Sequence, residues 1–406
     1  MNKFSKKNID KNDFFAGDDG ITIDNLLLLI KGSEYYQNVL NYFQIEENDT
    51  TKINIPGSKT LFTILNSSNK KLRKEDIKVE LQNIKFDYSS KFGIVFNNIQ
   101  ENEYLKNKNI NSLKAYPIHS AEKDFFSNLY DIDKYASKLL NNGFKDILDY
   151  NLELLKQKKE HHRKYRLIHD TEVDIFYLRA IVSTDRYYNY DNAFTVVIAL
   201  LKLHLEMLTS KVDYELQFFE YNDSFIRLYF KTSELKELKE IGYLENTLLV
   251  SNDEIKREAL RFSNICTIRY VDSNKNEQRL FIKPKDIKTK VITIPHGTGV
   301  GKAFLNLDDF VKSTENFEKL FKEVETITKI QNHNQIVHLV KSKINNSTTD
   351  EIRKFKSELT KVLLVDIKTT TQLLETFNKL VFLEGLEIDA KEYLRYILYE
   401  ALIDRR

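Results

Sequence analysis

Along this chain apolar residues alternate with polar ones in some stretches and recur roughly every three or four residues in others, and the switches between these periods predict its organisation. Alternation over IKVELQNIKFDY and KFGIVFNN, bounded by Asn, Ser and Gly, predicts short strands, while the apolar run in ITIDNLLLLIKGSEYYQNVLNYF predicts a helix before them. Residues 21–120 are therefore expected to form a small α+β module behind a polar tail, 1–20. From 121 to 165 the apolar positions Phe125, Leu129, Ile132, Tyr135, Leu139 and Leu140 keep helical spacing and predict a helical connector that ends in a basic cluster.

The region 166–306 reads as strands with one embedded helix. YELQFFEYNDSFIRLYFK predicts a hairpin across Asn222-Asp223-Ser224, and ALRFSNICTIRYVDSNKNEQRLFIKP a second around an Asp-Ser-Asn turn. Between these hairpins and an opening strand lies an apolar helix, Asp191 to Ser210, with Asp191 or Asn192 as its N-cap. From 307 to 406 the pattern is amphipathic and helical, with Asp308 and Asp350 at expected helix starts and Gly385 separating the last pair. The expected class is α+β: a central antiparallel sheet domain with helices, between the N-terminal module and a helical C-terminal region suited to homo-oligomerisation.

Composition narrows the function classes. The 406 residues are 41% hydrophobic and 30% charged, which describes a globular chain with ample material for real cores. Its longest pure aliphatic run, Leu26 to Ile30, is far short of the ~20 apolar residues of a membrane span, so no membrane is expected as a partner. The start MNKFSKKNIDKNDFFAGDDG lacks the apolar core of a secretory signal, which predicts a cytoplasmic protein. The one cysteine, Cys266, excludes an intrachain disulfide and a multi-cysteine zinc site, and its strand-like setting predicts a buried, inert thiol. With 62 basic and 60 acidic groups the net charge is +2, so any nucleic-acid binding must be confined to a local patch.

Local chemistry concentrates at a few places. Between Lys156 and Arg166 lie six Lys or Arg residues against one acid, with His161, His162 and Tyr165 among them. Such a mixture neutralises phosphates and offers faces for base stacking, although a solvated helix end has the same composition. No ligand-type residue follows the paired histidines at metal spacing, and no metal site is expected. In LRAIVSTDRYYNYDN, alternation along a strand would place Arg186, Tyr188 and Tyr190 on one face as a platform for phosphate and base. Core-edge tyrosines are the competing explanation. HGTGVGKAF resembles a phosphate-binding loop, but His296 stands where the first glycine belongs and Ala303 where the metal-holding hydroxyl belongs. A glycine-rich strand-to-helix turn is the simpler reading, with His296 and Lys302 near a helix start able to meet an anion.

Three islands, YLRAIVSTDRYYNYDN, NTLLVSNDEIKREALRFSNICTI and ITIPHGTGVGKAF, together resemble a phage- and plasmid-encoded family known only as a domain of unknown function. The resemblance spans roughly residues 170–310, about a third of the chain, and implies a mobile genetic element in a bacterial host cell but no established reaction. Within it the His-Gly pair after a strand recurs. The Ser251-Asn252-Asp253-Glu254 stretch departs from the family's more common Asn-Ser order, and a turn with a helix cap accounts for its residue types.

The leading expectation is a non-enzymatic protein that binds or anneals single-stranded DNA, without cofactor or metal, through Arg163, Lys164, Arg166, Arg179, Arg186, Tyr188, Tyr190, His296 and Lys302. The alternatives are a phage structural or assembly protein and, third, an enzyme using the His296 loop on a nucleotide or phosphoester. No Gly-x-Ser-x-Gly elbow surrounds Ser251, so it is not assigned as a nucleophile.

Overall fold

The computed structural model describes residues 9–11, 20–87, 92–157, 163–210, 212–255, 258–284, 292–308 and 314–405. It has the expected α+β class, but its two compact units divide the chain differently from the sequence boundaries. One unit holds 62–189 together with 296–298, and the other holds 190–295, 299–406 and most of the chain before 62. The reason is strand pairing. The opening strand was expected beside the later hairpins, whereas it pairs with strands of the N-terminal module.

The first unit is built on strands β1 (Leu72–Lys78), β2 (Ile84–Asp87), β3 (Gly93–Phe96), β4 (Leu113–Pro117), β5 (Arg163–Asp170) and β6 (Ile175–Ser183). Their spatial order is β1-β5-β6-β4-β3-β2, antiparallel except for the β4–β6 pair. Helices α1 (Ala121–Tyr130), α2 (Asp133–Asn141) and α3 (Lys145–Lys156) have the helical character expected of this segment, but they lie within the unit and pack on its sheet instead of connecting two domains. Phe125, Phe126, Leu129, Leu148 and Leu152 from these helices join Ile77, Phe96, Leu113, Tyr165 and Leu178 from the sheet in one core. Alternation then sends Asp76, Lys164 and Arg166 to the opposite face.

The second unit is built on β7 (Tyr214–Tyr221), β8 (Phe225–Leu238), β9 (Gly242–Asp253), β10 (Leu260–Val271), β11 (Glu277–Ile282) and β12 (Ile292–Ile294). With Ile9–Lys11 against β7 and β12 on β10, they form a seven-stranded antiparallel sheet. Both expected hairpins are present. Asn222 makes the first turn with its own carboxamide, whose Oδ1 accepts from the backbone N–H of Ser224 and Phe225 at 2.9 and 2.7 Å. Asp272 does the same at the second, accepting from Asn274 and Asn276 at 2.9 and 2.8 Å.

Helix α4 (Asn192–Ser210) starts where predicted, with Asp191 Oδ1 accepting from the Phe194 N–H at 2.8 Å. By length and composition alone α4 could cross a membrane, yet half of its apolar stretch is buried in the structure. From 300 onward the described elements are helical, among them α5 (Val300–Asp308), α6 (Thr370–Val381) and α7 (Ile388–Tyr399). Asp308 is the last described residue of α5 instead of a helix start, while Gly385, at φ +83°, separates α6 from α7 as expected. These helices are no separate tail. Leu374, Phe377, Leu394 and Leu398 share a core with Leu244, Ile268 and Leu280 of the sheet. Cys266 is buried on β10, and burial together with the Glu323 charge pushes its thiol up to about 12, so it carries no thiolate at neutral pH.

Candidate nucleic-acid interface

The expected binding residues separate by burial and by unit. Arg163, Lys164, Arg166, Arg179, Arg186, Tyr188 and His296 belong to the first unit, whereas Tyr190 and Lys302 belong to the second. Only some are accessible: Arg186 and Lys302 are exposed, and Arg163, Lys164 and Tyr188 are half-buried.

Arg166, Arg179, Tyr190 and His296 correct the sequence reading, because all four are buried. Arg166 lies directly across from Asp76 on the edge strand β1 and donates from Nε to Asp76 Oδ1 at 3.2 Å and from Nη1 to the Tyr187 hydroxyl at 3.0 Å. Asn189 Nδ2 donates to the other Asp76 oxygen at 2.8 Å. Burial works to raise the Asp76 pKa, but the charges of Arg166, Arg179 and Lys164 prevail and hold it below the ordinary carboxylate range. Arg179, 0% exposed, sits at a β-bulge, skipped between the Arg166↔Ala180 and Leu167↔Leu178 pairs, which turns it inward beside this carboxylate. These arginines serve the fold.

The platform of alternating residues does not form either. β6 ends at Ser183, and 184–186 are a turn followed by irregular chain, so strand alternation does not govern Arg186, Tyr188 and Tyr190. Tyr187 instead stacks on His296, with ring centroids 5.0 Å apart at 11°. The Tyr188 N–H donates to the His296 carbonyl at 2.8 Å, and His296 Nδ1 lies 3.2 Å from the Tyr188 carbonyl oxygen. The first and third islands are thus bound together, with the imidazole as a packed ring. Tyr190 is sealed in the second unit, between Tyr35 and Phe194 at 5.6 and 5.1 Å.

The middle island is a socket for the start of α4. Glu254 Oε1 accepts from the Asn192 N–H at 2.7 Å, and Asn252 Nδ2 donates to the Tyr190 carbonyl at 2.8 Å. Ser251 donates to Glu258 Oε1 at 2.8 Å and is buried. Lys302 is exposed on α5, where the expected strand-to-helix turn is present.

Of the accessible candidates in the first unit, Arg163 lines a polar groove of about 440 Å³ at one end of its sheet. The exit of β1 contributes Lys78, Glu80, Gln82 and Asn83, the loop after β3 contributes Asn98, Gln100 and Glu101, and Arg163 and Thr184 complete the wall. Four carboxamides therefore line one groove with two cations and two acids. Lys78 and Glu101 approach to 3.4 Å while both remain exposed, an ion pair that solvent screens strongly. Arg163 reaches the Asn128 carbonyl at 3.5 Å, and Arg186 follows two residues after Thr184. Sequence reasoning missed the amides, since they come from separate loops and carry no spacing signal. Of the basic cluster, residues 158–162 lie outside the described residues.

Among the described residues no group of three or more His, Cys, Asp or Glu side chains is placed to hold a metal ion. No known family profile, curated protein or solved structure matches this chain.

Proposed function

We propose that this chain is a single-stranded nucleic-acid-binding protein of a bacterial mobile element, acting in the cytoplasm, with the groove of Lys78, Arg163 and the four carboxamides as its binding site. The groove's chemistry carries the reading. Unpaired bases expose donors and acceptors that Gln82, Asn83, Asn98 and Gln100 can satisfy, while Arg163 and Lys78 of the groove wall, with Arg186 two residues beyond the lining Thr184, meet the phosphates. Near-neutral total charge suits a protein whose affinity resides in one groove. The resemblance of the three islands to a mobile-element family supports the same context.

The test is fluorescence anisotropy with a mixed-sequence single-stranded oligonucleotide across a salt series. Binding is expected at low salt, and the double substitution Arg163→Ala, Arg186→Ala should reduce the slope of log K against log salt by about 1.4, at about 0.7 for each lost phosphate contact. An unchanged slope removes this groove. Absence of binding even at low salt removes the class.

A second reading, self-association, is favoured by one observation. On α3, Ile147, Tyr150 and Leu154 form an exposed apolar stripe opposite the buried Leu148 and Leu152, and Tyr150 is 67% exposed. Light scattering should show a multimer that Ile147→Asp with Tyr150→Asp converts to monomer. A wild-type monomer at micromolar concentration would sink this reading.

A further inference from the structure

At the other end of the first unit's β5–β6 hairpin, three segments bring a tyrosine, a histidine and an aspartate into one chain of hydrogen bonds. His169 lies directly across from Arg73 on β1 and from Phe176 on β6. Phe176 stacks on the imidazole at 4.1 Å and 7°, fixing the ring plane. The loop after Asp170 returns Asp174, at φ +53°, so that its Oδ1 lies 2.7 Å from His169 Nε2. On the other side the Tyr104 hydroxyl lies 2.7 Å from His169 Nδ1. Tyr104 is carried by the short helix Glu103–Asn107, whose cap Asn102 is tied to the edge strand through Glu75 Oε2 at 2.7 Å.

An ionised carboxylate only accepts, so Asp174 sets the proton on Nε2 and leaves Nδ1 as the acceptor for the phenol. Nucleophile, base and orienting acid are thus in sequence, all within hydrogen-bond reach. Two cations flank the phenol: the Arg73 guanidinium lies 3.8 Å from the Tyr104 ring centroid and Lys108 Nζ lies 5.2 Å from it. Arg73 Nε is engaged by Glu75 at 2.6 Å, which leaves its terminal nitrogens for an anion. His169 is buried and Tyr104 half-buried, while Arg73, Lys108 and Asp174 are exposed, so the imidazole is enclosed and the groups around it reach the surface.

We propose that Tyr104, His169 and Asp174 form a nucleophilic relay directed at phosphodiesters. Tyr104 Oη attacks phosphorus as its proton passes to His169 Nδ1. The Tyr–O–P bond forms, the bond from phosphorus to the leaving oxygen breaks, and Arg73 and Lys108 compensate charge on the non-bridging oxygens. The leaving group departs with the bonding electron pair, and the imidazolium returns its proton to that group or to solvent. Asp174 acts as a positioning residue through His169. This inference uses none of the groove residues and stands apart from the single-strand reading.

The test uses the full chain with the p-nitrophenyl ester of thymidine 5′-phosphate, without added metal. A stoichiometric burst of nitrophenolate is expected, with thymidylate attached to Tyr104 by mass spectrometry. Tyr104→Phe, which keeps the ring beneath Arg73, should abolish it. His169→Ala should slow it roughly a hundredfold or more, with recovery on addition of imidazole. Asp174→Ala should slow the burst when His169 is present and change nothing in the His169→Ala background. No burst from the wild-type chain, or one that persists in Tyr104→Phe, overturns the proposal.

Discussion

Arg395→Ala should lower the stability of the second unit by about 3–5 kcal/mol, because it leaves a carboxylate charged and enclosed without its partner. Arg395 is 2% exposed on α7, and it meets Glu220, 0% exposed on β7, with two parallel hydrogen bonds of 2.7 and 2.8 Å. The Tyr229 hydroxyl donates to the same carboxylate at 3.0 Å, and Lys391 Nζ stands 4.0 Å away. Burial opposes ionisation of Glu220, but Arg395 overcomes it, and the pKa falls below the usual carboxylate value. A second pair runs the other way beside it: Arg227, the cross-strand neighbour of Glu220, meets Glu392 on α7 at 2.8 Å. Shifting α7 along the sheet would set like charges against each other, so the two opposed pairs fix its register. The double variant Glu220→Leu, Arg395→Met should recover most of the loss, since neither buried charge then remains. The chain has no tryptophan, so far-UV circular dichroism in urea is the readout. A loss below about 1 kcal/mol in Arg395→Ala would show that the pair behaves like an exposed one.

This charge pattern shows where sequence reasoning ended. Lys391, Glu392 and Arg395 read as the polar face of an amphipathic helix, yet Lys391 and Arg395 are buried. Only the pairing of Glu220 with Arg227 across two strands explains why the helix can place charges inward. By contrast, both hairpins of the second unit, α4 with its Asp191 cap and the Gly385 break were legible, because each rests on local chemistry: an Asx turn, a side-chain oxygen on free N–H groups, a positive φ. Which sheet β6 would join was not legible. A strand's apolar pattern says that it is buried and leaves its partner open.

The candidate site failed in the sequence for a related reason. Arg166, Arg179 and Tyr190 are residue types that meet phosphates and bases, and type alone does not separate a phosphate ligand from a structural counter-ion. One bulge turned Arg179 toward Asp76, and the early end of β6 removed the alternation on which the Tyr188–Tyr190 platform depended. Arg163 and Arg186 remained accessible. The relay around His169 draws on positions 104, 169 and 174, and although His169 and Asp174 lie five apart, nothing local marks Tyr104 as their companion.

Glu392→Gln should destabilise the chain by about 3–5 kcal/mol at neutral pH, and the deficit should shrink in acid. Glu392 accepts from Arg227 Nε at 2.8 Å and also pairs with Lys283, so its removal takes the ion-pair partner from buried Lys283 and leaves buried Arg227 with Glu258 alone. Burial raises the Glu392 pKa, but Arg227 and Lys283 outweigh burial and hold it well below the ordinary range. A carboxylate depressed in the folded state contributes stability that is complete above its unfolded pKa, about 4.3, and is lost as pH falls toward the folded value. The direction follows: the gap between wild type and Glu392→Gln stays level from about pH 5 to 8 and narrows below about pH 4. Chemical denaturation followed by circular dichroism at each pH measures that gap directly. A gap that holds constant down to about pH 2 would mean that Glu392 titrates alike in the folded and unfolded chain, and that Arg227 and Lys283 do not act on it as ion-pair partners.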